Sequence, residues 1–111
     1  MTKKNDFVEY VVQDLLSDLR GVTSRAMFGG YGIYKDGVIF GIIADDVLYF
    51  KVDGTNRKKY EAAGSKPFTY DTKKRKKIAL TYWEVPIDVM DDREEIASWA
   101  EESRKIKKSL L

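Results

Sequence analysis

The chain has no cysteine and no histidine in 111 residues, and only two prolines. Without cysteine there are no disulfides, no thiolate nucleophile and no thiolate-held zinc. Without histidine the Ser-His-Asp and Cys-His arrangements are excluded, together with the usual zinc sites. Any catalysis would rest on carboxylates, lysine, tyrosine or backbone groups. No apolar run approaches the length of a membrane span, and the start, MTKKNDFVEYVVQ, lacks the apolar core of a secretory signal. These absences predict a cytoplasmic protein that is not an enzyme, with no cofactor and no metal. The length fits one domain, residues 1–111, able to bury a core unaided.

Twenty basic and 18 acidic side chains give a net charge of only +2, but they are unevenly spread. Residues 1–50 carry 5 basic and 7 acidic groups, residues 51–77 carry 10 and 3, and residues 78–111 carry 5 and 8. The excess gathers at Arg57, Lys58 and Lys59 and at the run Lys73, Lys74, Arg75, Lys76 and Lys77. Such runs serve as solvated edges that discourage sheet pairing, or as phosphate-contact surfaces.

The chain is organised around Arg25 to Asp53. Asp36-Gly37 lies between an aromatic-rich run and Val38 to Ala44, a strong hairpin signal because both residues tolerate positive φ. Asp45-Asp46 separates that strand from Val47 to Val52 and reads as a second turn. Val38 to Ala44 is apolar in both phases, with Val38, Phe40 and Ile42 assigned to one face and Ile39 and Ile43 to the other. A central strand covered on both sides reads this way, and the second cover could come from another molecule. In the next strand Leu48, Phe50 and Val52 face the core, while Tyr49 and Lys51 are half exposed.

Before the sheet, Phe7, Val8, Val11, Val12, Leu15, Leu16 and Leu19 recur at helical spacing and predict one amphipathic helix, started by Asn5 or Asp6 and stopped by Gly21. After it, Gly54 to Gly64 reads as a short helix capped by Thr55. Pro67 to Asp71 is an extended or irregular connection, Ile78 to Val85 is a strand, and a last helix starts at Asp91-Asp92. Its acidic first turn and basic last turn match the helix dipole. The fold class is therefore α+β: an antiparallel meander of about five strands packed with two to three helices.

Gly29-Gly30-Tyr31-Gly32 superficially echoes a phosphate-binding loop, but the glycines run into a strand and no Gly-Lys-Ser/Thr comes after them, so strand geometry explains them better. The carboxylate pairs Asp45-Asp46, Asp91-Asp92, Glu94-Glu95 and Glu101-Glu102 are adjacent in sequence and do not converge; turns and helix ends account for them. Phe28, Tyr31, Tyr34, Tyr49, Tyr70, Tyr82 and Trp83 lie on or near strands. Sheet aromatics beside basic residues suit single-stranded nucleic acid, although no basic-aromatic RNA-binding pattern is present. A sheet with helices on one side leaves an open face, and Tyr31, Tyr34, Tyr49 and Trp83 are the candidates for a protein interface, first of all with a second copy.

The sequence resembles the TfoX/Sxy N-terminal domain family. The resemblance is carried by Arg25-Ala26-Met27-Phe28-Gly29-Gly30-Tyr31-Gly32-Ile33-Tyr34, Val38 to Ile43, Leu48-Tyr49-Phe50-Lys51-Val52-Asp53, Pro67-Phe68-Thr69-Tyr70 and Tyr82-Trp83-Glu84-Val85-Pro86. It implies a small α+β domain related to positive regulators of competence genes for DNA uptake, which act with the cyclic-AMP receptor protein. Those regulators have a further C-terminal domain, which residues 1–111 do not supply. The resemblance brings no catalytic residues. The resulting expectation is a non-enzymatic regulatory domain, homodimeric, that engages transcription machinery or a regulator protein. The alternative is a nucleic-acid module using Arg57, Lys58, Lys59 and Lys73 to Lys77.

Overall fold

The structure, a computed structural model, describes residues 6–27, 29–71 and 76–106, with the side chains of 70, 71 and 76–80 left aside. Helix α1 (Asp6–Glu9) continues into a π-helical segment (Tyr10–Leu15). Strands β1 (Val22–Met27), β2 (Gly30–Lys35), β3 (Val38–Ala44) and β4 (Val47–Lys51) follow, then α2 (Arg57–Ala62), β5 (Pro67–Asp71), β6 (Lys76–Glu84), α3 (Ile87–Met90) and α4 (Arg93–Arg104). The six strands form one antiparallel sheet in the order β1-β2-β3-β4-β6-β5. This is the expected α+β class with one strand more than expected, because Pro67 to Asp71 is an edge strand. Proline fits there, since an edge position leaves its missing N–H without consequence.

Both hairpin turns form as their residues dictate. Asp36 and Gly37 have φ of 51° and 84°, and Asp45 and Asp46 have φ of 53° and 61°. Lys35 pairs with Val38 and Ala44 with Val47, so each loop has two residues, the geometry whose twist matches that of the strands.

Between them, β3 departs from simple alternation. Ile33 pairs with Gly41 but Tyr34 with Ile39, leaving Phe40 as the extra residue of a bulge. The expected faces are corrected accordingly. Phe40 and Ile43 enter the main core, whereas Ile42, which alternation places beside Phe40, does not join it.

The first helix also differs from the expected one. It ends at Leu15, and Leu16 N donates to Val11 O five residues back at 2.9 Å. The wide turn still buries Val8, Val11, Leu15 and Leu16. Helix α2 starts later than expected: Asp53 Oδ1 accepts from Thr55 N at 2.8 Å, which makes an Asx turn, and Asn56 takes the N-cap position. At α4, Asp92 caps as expected, accepting from Glu94 N and Glu95 N at 3.1 Å each.

All the helices contribute to one face of the sheet. Val8, Val11, Tyr60, Val89, Ile96, Trp99 and Ala100 pack there against Ile33, Phe40, Ile43, Leu48, Phe50 and Trp83. The opposite face receives no helix among the described residues.

Candidate functional site

Strand register assigns the helix-free face residue by residue, because directly paired residues share a side. One row across the sheet holds Arg25, Gly32, Ile42, Tyr49 and Glu84. Beside it lie Tyr34 opposite Ile39, and Lys51 opposite Tyr82. The Arg25 guanidinium stands 5.5 Å from the centre of the Tyr34 ring, a cation–π contact, and the Tyr34 hydroxyl lies 3.9 Å from the Met27 sulfur. The Tyr49 ring meets Phe68 edge-on at 4.9 Å.

The glycine motif serves the close packing of this face. A Cβ on Gly32 would fall 2.7 Å from the Met27 sulfur and 2.9 Å from Tyr34, so the missing side chain lets those groups close over the strand. A Cβ on Gly30 would lie 2.3 Å from the Ile43 carbonyl oxygen, a clash with backbone that no rotamer relieves.

The four aromatics expected to share an interface do not share a face. Tyr34 and Tyr49 are half-buried on the helix-free side. Trp83, paired with Phe50, is buried among the helices, and Tyr31 packs against the same core. Phe40's bulge does not rescue them: Tyr31 pairs with Ile43, which belongs to the core. Alternation along β6 assigns Trp83 inward and Tyr82 outward.

Two residues on the helix-free face are buried more deeply than their position suggests. Lys51 is only 2% exposed and Tyr82 only 1%, although Lys51 reads from sequence as half exposed. Burial pushes the Lys51 ammonium below its ordinary pKa. Burial, followed by the nearby Tyr34, pushes the Tyr82 phenol up to about 12. Tyr49 is raised as well, by burial first and then by Glu84 and Asp45. Lys51's backbone, by contrast, is well held, its carbonyl accepting from Ser103 Oγ at 2.6 Å and Asn56 Nδ2 at 3.2 Å.

The basic candidates divide. Arg57 and Lys58 are exposed on the first turn of α2. Lys59 is committed elsewhere, paired with Glu102 at 2.6 Å and 4.6 Å from the centre of the Trp99 ring, where it ties α2 to α4. Lys73, Lys74 and Arg75 lie outside the described residues. Lys76 and Lys77 are in β6, paired with Asp71 and Tyr70.

A concavity of about 560 Å³ lies between Ser65, Glu84, Ile87, Asp88, Glu95 and Trp99. Among the described residues no group of three or more His, Cys, Asp or Glu can hold a metal ion, and no helix is long and apolar enough to cross a membrane.

The six-stranded sheet, with helices on one side and a tyrosine-bearing face on the other, defines a small α+β domain in which no catalytic cluster stands out among the described residues. The family model for the TfoX N-terminal domain matches residues 14–106. The chain belongs to that family, and at family level it is a regulatory domain related to competence and transformation. No curated protein matches it significantly.

Proposed function

We propose that this is a non-enzymatic regulatory domain that works through protein contacts, first with a second copy of itself across the helix-free face and then with a component of the transcription machinery. The observation that carries this reading is the face itself. Tyr34, Tyr49 and Ile39 are half-buried there, Ile42 is 9% exposed, and no helix among the described residues joins them. Apolar and aromatic surface left on one side of a sheet is stabilised by a partner, and two-fold pairing is the commonest way to supply one.

Sedimentation of the purified chain over a wide concentration range tests the pairing. Concentration-dependent dimer formation, lost on Tyr49→Ala, is the expected result. A monomer throughout rejects it.

A second reading, binding of nucleic acid, is favoured by the exposure of Arg57 and Lys58 at a helix N-terminus, where cations oppose the dipole and do not stabilise the helix. Anisotropy of labelled single- and double-stranded DNA at about 50 and 200 mM salt checks it, since phosphate contacts weaken steeply over that range.

A further inference from the structure

The two edges of the sheet, β1 and β5, are built differently. Strand β5 begins with Pro67, shifts register between Pro67 and Phe68, and ends at Asp71, just before the basic run Lys73 to Lys77. A missing N–H, an irregularity and nearby charge are the devices that close an edge to other strands. Strand β1, VTSRAM, has no proline and pairs with β2 in unbroken register from Val22 to Met27. Its one charge, Arg25, is held over the Tyr34 ring, and Thr23 to Ala26 are exposed.

The backbone of β1 shows which groups that edge offers. Asp36 N donates to Gly21 O at 3.2 Å, one step before the β1–β2 register begins. In an antiparallel ladder every second residue then turns its N–H and C=O to the neighbour, so Gly21, Thr23, Arg25 and Met27 face β2. Val22, Ser24 and Ala26 turn theirs outward, and among the described residues nothing bonds to them. A second β1 strand can meet this edge about a two-fold axis perpendicular to the sheet, which keeps the helix side of both copies together. Centred on Ser24, that axis sets Ser24 opposite the second copy's Ser24 and Val22 opposite its Ala26, so every outward N–H on each copy meets a carbonyl. Thr23 then faces the second copy's Arg25. Centred on Arg25 instead, the axis would place like charges directly opposite and leave Val22 unpaired.

We infer that β1 is an interface with a second copy of this chain, two β1 strands pairing antiparallel about Ser24 and joining both sheets into one. The pairing uses the backbone of one edge and does not rest on the face-to-face contact proposed above. Its axis is perpendicular to the sheet, whereas a face-to-face two-fold lies parallel to it, so both contacts fit one closed assembly. Edge pairing also sets the two helix-free faces side by side as a single surface.

The experiment is amide hydrogen exchange of the whole chain, read by NMR from about 10 μM to about 1 mM, since association makes protection depend on concentration. The expected result is an alternating pattern. Thr23, Arg25 and Met27 amides are protected at every concentration, whereas those of Val22, Ser24 and Ala26 exchange freely in dilute solution and slow about tenfold once nine-tenths of the chains are paired. Ser24→Pro removes an N–H that points to solvent in the single chain, so it should keep the dilute Tm and lose the concentration-dependent protection of Val22 and Ala26. Ser24→Lys, which sets like charges opposite each other without altering the backbone, should lose it too. Tyr49→Ala should leave it in place. A dimer in sedimentation that survives Tyr49→Ala but not Ser24→Pro keeps the edge and rejects the face contact. The edge is overturned if Val22, Ser24 and Ala26 exchange alike at all concentrations, if their protection survives both Ser24 substitutions, or if Tyr49→Ala abolishes it.

Discussion

Phe50 and Lys51 are adjacent in β4 and equally hidden, but they enter different surroundings. Phe50 enters a closed apolar layer, with the Phe40 ring centre 5.6 Å away, Trp83 opposite and helices above. Lys51 enters the helix-free side opposite Tyr82, whose buried hydroxyl has no hydrogen-bond partner among the described residues. One face of the sheet is completed by the chain's own helices. The other receives no helix among the described residues, and Tyr34 and Tyr49 stay half-buried on it.

The comparison is tested most severely by paired truncations. Phe50→Ala should cost about 3–5 kcal/mol in urea unfolding, the range for aromatic deletions in a core that cannot collapse. Tyr49→Ala, one residue away on the other face and half-buried, should cost clearly less; an equal loss would mean that the two faces are equally structural. Gly30→Ala comes next, at about 1–3 kcal/mol, because its new methyl meets the Ile43 carbonyl. Two-dimensional NMR should show shifts concentrated at the β2–β3 pairing.

Alkaline unfolding sharpens the contrast. Burial raises the phenols of both Tyr60 and Tyr82, so the folded state keeps protons that the unfolded state releases near pH 10. Stability should therefore fall as pH rises above about 10. Lys51, lowered by burial, acts in the opposite sense: the unfolded state holds more protons between its depressed pKa and about 10.4, so its contribution improves with pH there. Tyr82→Phe should remove part of the alkaline loss, and Lys51→Met should remove the opposing rise, both read from denaturation midpoints at pH 8 to 11. The smallest effect is expected for the partly exposed Lys59–Glu102 pair, about 0.2–1 kcal/mol in a double-mutant cycle.

Much of the frame is legible in residue order. Asp36-Gly37 and Asp45-Asp46 specify their turns chemically, and the Asp92 cap is marked by the acidic turn after it. The alternation of Leu48, Phe50 and Val52 identifies the core side of β4. The faces of β3 are not legible, because a run apolar in both phases gives no sign of where an extra residue is inserted, and the bulge at Phe40 reverses the phase of the residues beyond it. Pro67 to Asp71 reads as a connection because its pairing with β6 is settled by tertiary contact. The burial of Lys51 is hidden for a related reason: alternation says which side a residue faces, not how deeply its neighbours cover it. Residue type alone likewise groups Tyr31 and Trp83 with Tyr34 and Tyr49, although the strand register separates them.

The strand order also orders events during synthesis. Strand β5 leaves the ribosome before β6 but is hydrogen-bonded into the sheet through it, since β6 lies between β4 and β5. Until residues 76–84 emerge, the four-stranded meander waits with β4 as an open edge, its backbone groups available to any other chain. Closure by β6, followed by the Ser103 hydroxyl reaching the Lys51 carbonyl 52 residues back, makes the last third of the sequence the step that ends this exposure.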